Sequence, residues 1–458
     1  MPPHAALLLA ALRLAPRRYR LPPLPADIDA ARAGGSATGL AFAMEAARGA
    51  FEHGTTAPQD VKALFIQALA GLIREALQAP EQGGDPTFQA LVLKAREAQV
   101  DEHVRLGASS KADQRAVRAA VNAVAHPGKL QGLAPGAVSN ALAELHRLLS
   151  AGAWRELKQA IGLLLAQTPQ TDEPWHPTLE AVHASPALER LERGAALLDV
   201  PSVQRYLALC EQRGPLAGSN AAATQGRASA RVGAVAEATT MQAFRAIAEL
   251  LNRLSPGHRA VRSLRTPAGF PGEAGNAKDE WDAAIVRAGD GDAAVDIALL
   301  AEVKAAPSAA TPDFAGLLRG LRRLAQAHAD AVYAFPSPDG AVSIRGASLQ
   351  QLRPHAHALP AQVIYCCAAP PEPQPALLSA AGKAMLLAEP GSVDFGQRLA
   401  RGETPAREAL APVWDALTTA PRLHAALHQY DTARRVREVM LHPEDLLAAV
   451  AAVLADGG

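Results

Sequence analysis

Between residues 255 and 370 the apolar residues of this chain fall into short runs of strand length. On either side they recur every three or four residues, and this change of period limits the fold more than any other feature. Residues 60–77, 88–104, 116–124, 137–149 and 154–165 each carry a helical stripe, with breakers at 82–86, 126–128, 134–136 and 168–177. No period of 20–50 residues repeats, which gives a solenoid no support. The small and polar stretch 214–227 reads as a linker. A helix over about 229–254 then leads into strands at 259–265, 280–287 and 297–305, a helix at 314–329, and strands at 331–335 and 362–367, with one or two more to be expected. The expected division is a helical domain at 1–213, the linker, a mixed α/β domain at 228–369, a proline-rich connector at 370–375 and a helical region at 376–458. The fold class is α+β, with largely helical terminal regions flanking a mixed sheet.

The 458 residues suffice for two to four domains at roughly 100–200 residues each. With only nine Phe, five Tyr and four Trp, the core must come from Ala, Leu and Val. Lys and Arg number 45, as do Asp and Glu, so a globally basic nucleic-acid coat is excluded and only a local basic groove remains. Cys210, Cys366 and Cys367 cannot form a disulfide framework, and a reducing compartment, the cytoplasm, is the expectation. The apolar stretch 5–12 is followed, not preceded, by basic residues, the reverse of a secretory signal. No run reaches the ~18 apolar residues of a spanning helix, so no membrane is expected.

The chemistry-bearing stretch is 279–304. Asp282 lies at the polar start of one apolar run, and Glu302 and Lys304 close the next, after a turn at 289–292. Strand side chains alternate faces, so Glu302 and Lys304 project together, and if the strands pair, Asp282 and Glu302 converge. Two carboxylates with no thiol or imidazole nearby make a hard oxygen site suited to Mg2+ or Mn2+. A lysine two residues away can orient a water and offset charge on a phosphoryl oxygen. Glu237 lies seven residues before Phe244, on the expected inward stripe of its helix through Phe244, Ile247, Leu251 and Leu254, where a carboxylate is costly unless paired or metal-bound.

At these residues the chain resembles the PD-(D/E)xK nuclease superfamily, whose hallmark is an acid on one strand and Glu-x-Lys on the next within a restriction-endonuclease-like αβββαβ core. The resemblance covers roughly residues 229–367, with Trp281 standing where the family's namesake proline precedes the acid. It implies Mg2+ (or Mn2+) held by Asp282 and Glu302, catalysis by Asp282, Glu302 and Lys304 with Glu237 reaching in from the preceding helix, and hydrolysis of phosphodiesters, of DNA in the first place. It also places the helix after Glu-x-Lys beside the nucleic-acid groove, making Arg319, Arg322, Arg323 and Gln326 phosphate contacts. A second copy or a protein partner would dock through the helical regions. Two other readings share the pattern: the same fold with a vestigial site that binds nucleic acid or assembles a complex, and a helical scaffold stabilised by an α/β insert.

Other patterns carry less. Arg259, Arg262 and Arg265 recur every third residue, which does not keep one face of a regular strand. His424 and His428 lack an evident third ligand, and the adjacent Cys366 and Cys367, considered with His355-x-His357, point to opposite strand faces and read as core. Phosphate-cradling, dinucleotide and Gly-x-Ser-x-Gly motifs are absent.

Overall fold

The strand-length runs pair into one mixed sheet. The computed structural model describes residues 3–168, 173–212, 220–289, 293–356 and 358–456. Among them the sheet has seven strands: β1 (His258–Arg265), β2 (Glu280–Ala288), β3 (Val295–Lys304), β4 (Val332–Phe335), β5 (Val342–Arg345), β6 (Val363–Cys367) and β7 (Met440–Leu441). β1, β2 and β3 form an antiparallel meander. β3 is central, because its start pairs in parallel with β5 and its end in parallel with β6. β4 lies antiparallel to β5, and β7 parallel to β6.

Each face of the sheet is covered by a helical layer. On one face the helix Ala310–Leu324 buries Phe314, Leu317, Leu321 and Leu324, the stripe read from the sequence. On the other, Asn220–Asn252 buries Phe244, Ile247 and Leu251 together with Leu8 and Leu12 of Pro3–Leu14 and Leu446 of Pro443–Asp456. Burial of each such side chain stabilises the fold by about 1.5–3 kcal/mol. Leu254, expected on the stripe, lies beyond the helix end and is 52% exposed.

The described residues cluster into two compact units, one from 1–72, 216–387 and 407–458, the other from 73–215 and 388–406. This replaces the contiguous division expected from sequence. The helical region 1–213 does not stay together, since Pro3–Leu14 is needed to cover the sheet, and 376–458 is not a separate region, since it supplies β7 and Pro443–Asp456. A sheet face takes its cover from whichever segment offers an apolar stripe, near or far in sequence. The connector 370–375 is pinned rather than free, because Glu372 pairs with the buried Arg437 at 2.7 Å. Residues 214–219 of the expected linker lie outside the described residues, and from Asn220 the chain is already helical. Alanines and other helix formers there outweigh the single glycine.

The second unit is helical, with a core that includes Val117, Leu145, Trp154, Leu157, Ile161 and Leu179. The expected 88–104 helix breaks at Glu97, whose extended backbone separates Pro86–Arg96 from Ala98–Ala125. No helix among the described residues is long and apolar enough to cross a membrane.

Candidate functional site

The antiparallel register sets Ala283 of β2 against Ala301 of β3, so Asp282 and Glu302 occupy the next level outward. Asp282 Oδ2 accepts a hydrogen bond from the Val303 N–H at 2.8 Å, which fastens the first acid to the strand carrying the second. In β3, Leu300 packs in the cluster of Phe314, whereas Leu299, Ala301 and Val303 pack in that of Phe244. Glu302 and Lys304 therefore share the face of Leu300, as alternation requires.

The alternation slips at Asp282 itself. Val261 pairs with Ala284 and Leu264 with Trp281, all four in one core cluster, so both strands turn one extra residue between these pairs. The residues between include Ser263, whose φ of +50° lies in the left-handed region that a non-glycine residue adopts at a cost. The slip also leaves Arg262 and Arg265 both exposed despite their spacing of three. Arg262 pairs with Asp339 and Arg265 with Glu280.

Glu302 is 2% exposed. Its Oε1 accepts from Lys278 Nζ at 2.7 Å and from Lys304 Nζ at 2.8 Å, while its Oε2 is buried with no hydrogen-bond partner among the described residues. Burial, and then the Asp282 charge, push the Glu302 carboxyl up to about 7, although both lysines pull it back. Lys304 also pairs with Asp313 at 3.1 Å. Burial works against its charge, but Glu302 and Asp313 outweigh burial and its pKa is raised. Tyr365 pairs with Glu302 across β3 and β6, fully buried, and its hydroxyl has no hydrogen-bond partner among the described residues. Burial and the surrounding carboxylates of Asp313, Glu302 and Asp282 hold it protonated.

Glu237 does not sit in the buried stripe. Ala236 and Thr240 take the inward positions, and Glu237 is exposed beside them. It still faces the site electrostatically, since desolvation and then the charges of Asp282 and Glu280 raise its pKa. Glu280 at the rim behaves oppositely: a hydrogen bond from Ser263, reinforced by Arg265, lowers its pKa.

Arg319, Arg322, Arg323 and Gln326 have intramolecular neighbours. Arg319 donates to the Asn276 carbonyl at 3.1 and 3.0 Å, and Arg322 donates to that of Ala356 at 2.8 Å. The Arg323 guanidinium lies 5.9 Å from the Phe270 ring centre. Gln326 closes on Gly272, where an added Cβ would meet its Oε1 at 2.6 Å. Three of the four thus brace the loop 266–279, which carries Lys278. Sequence reasoning missed Lys278, Asp313, Tyr365 and Ser263. The only available signal was the position of Lys278, four residues before Asp282 at the mouth of β2.

The donor set fits a hard divalent cation. Glu302 Oε2 is buried with no hydrogen-bond partner among the described residues, and the register carries Asp282 on the neighbouring strand at the level of Glu302. Mg2+ keeps several waters and is held through one or two carboxylates plus substrate phosphate, so two acids suffice. Among the described residues no group of three or more His, Cys, Asp or Glu is placed to hold a metal. His424 and His428 stack with ring centres 4.3 Å apart. Cys366 and Cys367 belong to opposite core clusters, while His357 and residues 290–292 lie outside the described residues. No protein-family model, no curated protein and no solved structure matches the chain.

Proposed function

We propose that this chain is a Mg2+-dependent phosphodiesterase acting on DNA, with a restriction-endonuclease-like core of the PD-(D/E)xK kind. The observation that carries the reading is a buried glutamate with one unpaired oxygen, between an aspartate hydrogen-bonded to its strand and a lysine 2.8 Å away. The order of helix, three strands, helix and strand around these residues supports it. Asp282 and Glu302 would hold the cation. When bound, a divalent cation polarises a phosphoryl oxygen and makes a bound water more acidic. Lys304 donates to the attacking water or to the phosphoryl oxygen on which charge grows, held in place by Glu302 and Asp313. Glu237 adds negative potential at the mouth. The exposed Arg319 and Arg322 would contact backbone phosphates, and the helical unit would select target or partner, a second copy included. A cytoplasmic setting accords with its three free thiols.

The test is a cleavage time course on supercoiled plasmid and single-stranded oligonucleotide in Mg2+, Mn2+ and EDTA. The parent is expected to cut in either metal and not in EDTA, with Glu302→Gln inactive in all three. Equal cutting by parent and Glu302→Gln would refute the assignment. One observation favours a second reading, a module that binds nucleic acid without cutting it: two lysine ammoniums already sit on Glu302 and offset its charge without a cation. Binding in EDTA without cleavage in any metal would select that reading.

A further inference from the structure

We propose that Lys278 is a positioning residue that keeps Glu302 Oε1 paired while Lys304 turns to the reacting phosphate. The inference rests on the phosphodiesterase reading above and adds to it a second lysine acting through the first.

Lys278 and Lys304 donate to the same oxygen of Glu302, at 2.7 and 2.8 Å. Glu302 is 2% exposed, so no solvent replaces an ammonium that leaves. With one lysine, release of Lys304 toward substrate would strand a buried carboxylate oxygen, a costly state. With two, Lys304 can leave and Oε1 keeps Lys278. Lys304 also has a second anchor for that movement, Asp313 at 3.1 Å, whose side chain is 29% exposed and so lies toward solvent.

The loop that carries Lys278 is fixed by its backbone, whereas Lys304 has two carboxylates between which it can shift. The Lys278 backbone N–H donates to the Gly316 carbonyl at 3.2 Å, and the loop is closed by the Thr266 N–H donating to the Asp279 carbonyl at 2.7 Å. Gly320 allows the close approach, since a Cβ there would lie 2.7 Å from the Lys278 carbonyl oxygen and 3.1 Å from the Trp281 ring. Nor does Lys278 stand in for the cation. It forms no ion pair with Asp282 among the described residues and leaves Glu302 Oε2 open. Its removal should therefore not impair cation binding, and loss of its positive charge should if anything favour it.

The experiment compares the full-length parent with Lys278→Met, Lys278→Arg, Lys304→Met and the Lys278/Lys304 double Met variant, with Lys278→Gln as the substitute should Lys278→Met not fold. Three quantities are read: Mn2+ affinity by calorimetry without DNA, thermal unfolding in EDTA, and kcat and KM on a duplex oligonucleotide with Mn2+. Lys278→Met should lower kcat roughly 10–100-fold, less than the ~10²–10³ lost with a donor to the reacting atoms themselves. KM should hold, and Mn2+ affinity should hold or tighten. Lys278→Arg should recover most of kcat. The double variant should be no slower than Lys304→Met, because Lys278 acts only through Lys304. Parent kcat in Lys278→Met, multiplying losses in the double variant, or loss of Mn2+ affinity together with stability would each overturn the inference and leave the phosphodiesterase reading intact. A parent that neither binds Mn2+ nor cuts would overturn both.

Discussion

Each unit of the molecule contains a buried carboxylate, and the two are satisfied in opposite ways. In the helical unit Asp113, 5% exposed, receives both Nε and Nη2 of Arg190, at 2.9 and 2.6 Å, one on each oxygen. That pairing holds its pKa below the ordinary carboxylate range. In the sheet unit Glu302 has two ammoniums on one oxygen and none on the other, and burial drives its pKa up to about 7. Asp113 is complete without anything added. Glu302 keeps one oxygen without a hydrogen-bond partner among the described residues, and on the proposed reading that oxygen takes the cation.

The largest expected difference between the two is in cleavage. Asp282→Ala or Glu302→Ala should slow it by at least ~10²–10³, the contribution of one preorganised electrostatic group, while Asp113→Ala leaves the rate per folded molecule unchanged. Initial rates normalised to folded protein check this, and comparable losses from Asp113→Ala would erase the contrast.

Next comes the pH dependence of stability. A carboxyl with its folded pKa raised from 4.5 to about 7 binds its proton more tightly in the folded state. Its favourable contribution is complete below about pH 4.5 and is lost as pH rises through 7, a span worth roughly 3–4 kcal/mol. Glu302→Gln removes that slope, so in EDTA its stability relative to the parent should rise between pH 5 and pH 8. Asp113 has the opposite sign: its lowered pKa gives stability present at neutral pH and lost on acidification. Urea unfolding at the two pH values separates the cases, and a flat difference for Glu302→Gln would remove the basis for calling Glu302 unsatisfied.

Breaking the completed pair should cost less. Arg190→Ala leaves Asp113 buried without its ion-pair partner, but 42% of the Arg190 side chain is exposed, so the loss falls below that of a fully buried pair. It should appear as a lower urea midpoint with no change in Mn2+ affinity. The smallest effect is at the rim, where Glu237→Gln should weaken Mn2+ binding by about 2–5-fold, as a partly screened charge does. A loss above tenfold would make Glu237 a ligand.

The three central residues were legible because strand alternation fixes which side chains share a face. Glu302 and Lys304 follow from that rule alone, and Asp282 follows once β2 and β3 pair. Glu237 lies on the stripe by periodicity but near the end of its covered part, since residues 223–232 of the same helix are exposed, and periodicity does not tell where the cover of a stripe stops. Lys278 sits after a glycine-bearing loop without periodicity, so nothing local marks it as a partner of Glu302, 24 residues away. The slip at Ser263 depends on a backbone angle that serine does not advertise. β7 has two residues, too few for any pattern, and the cover supplied by Pro3–Leu14 is a long-range choice of the folded chain.

The central claim is that Asp282 and Glu302 are held open for one divalent cation. A crystal of the full chain soaked in Mn2+ tests it most directly, through the anomalous signal of the metal. The account predicts a peak about 2.0–2.2 Å from Glu302 Oε2 and from an oxygen of Asp282, with Lys278 still on Oε1. Ordered carboxylates with no peak between them, at Mn2+ concentrations that support cleavage, would contradict it.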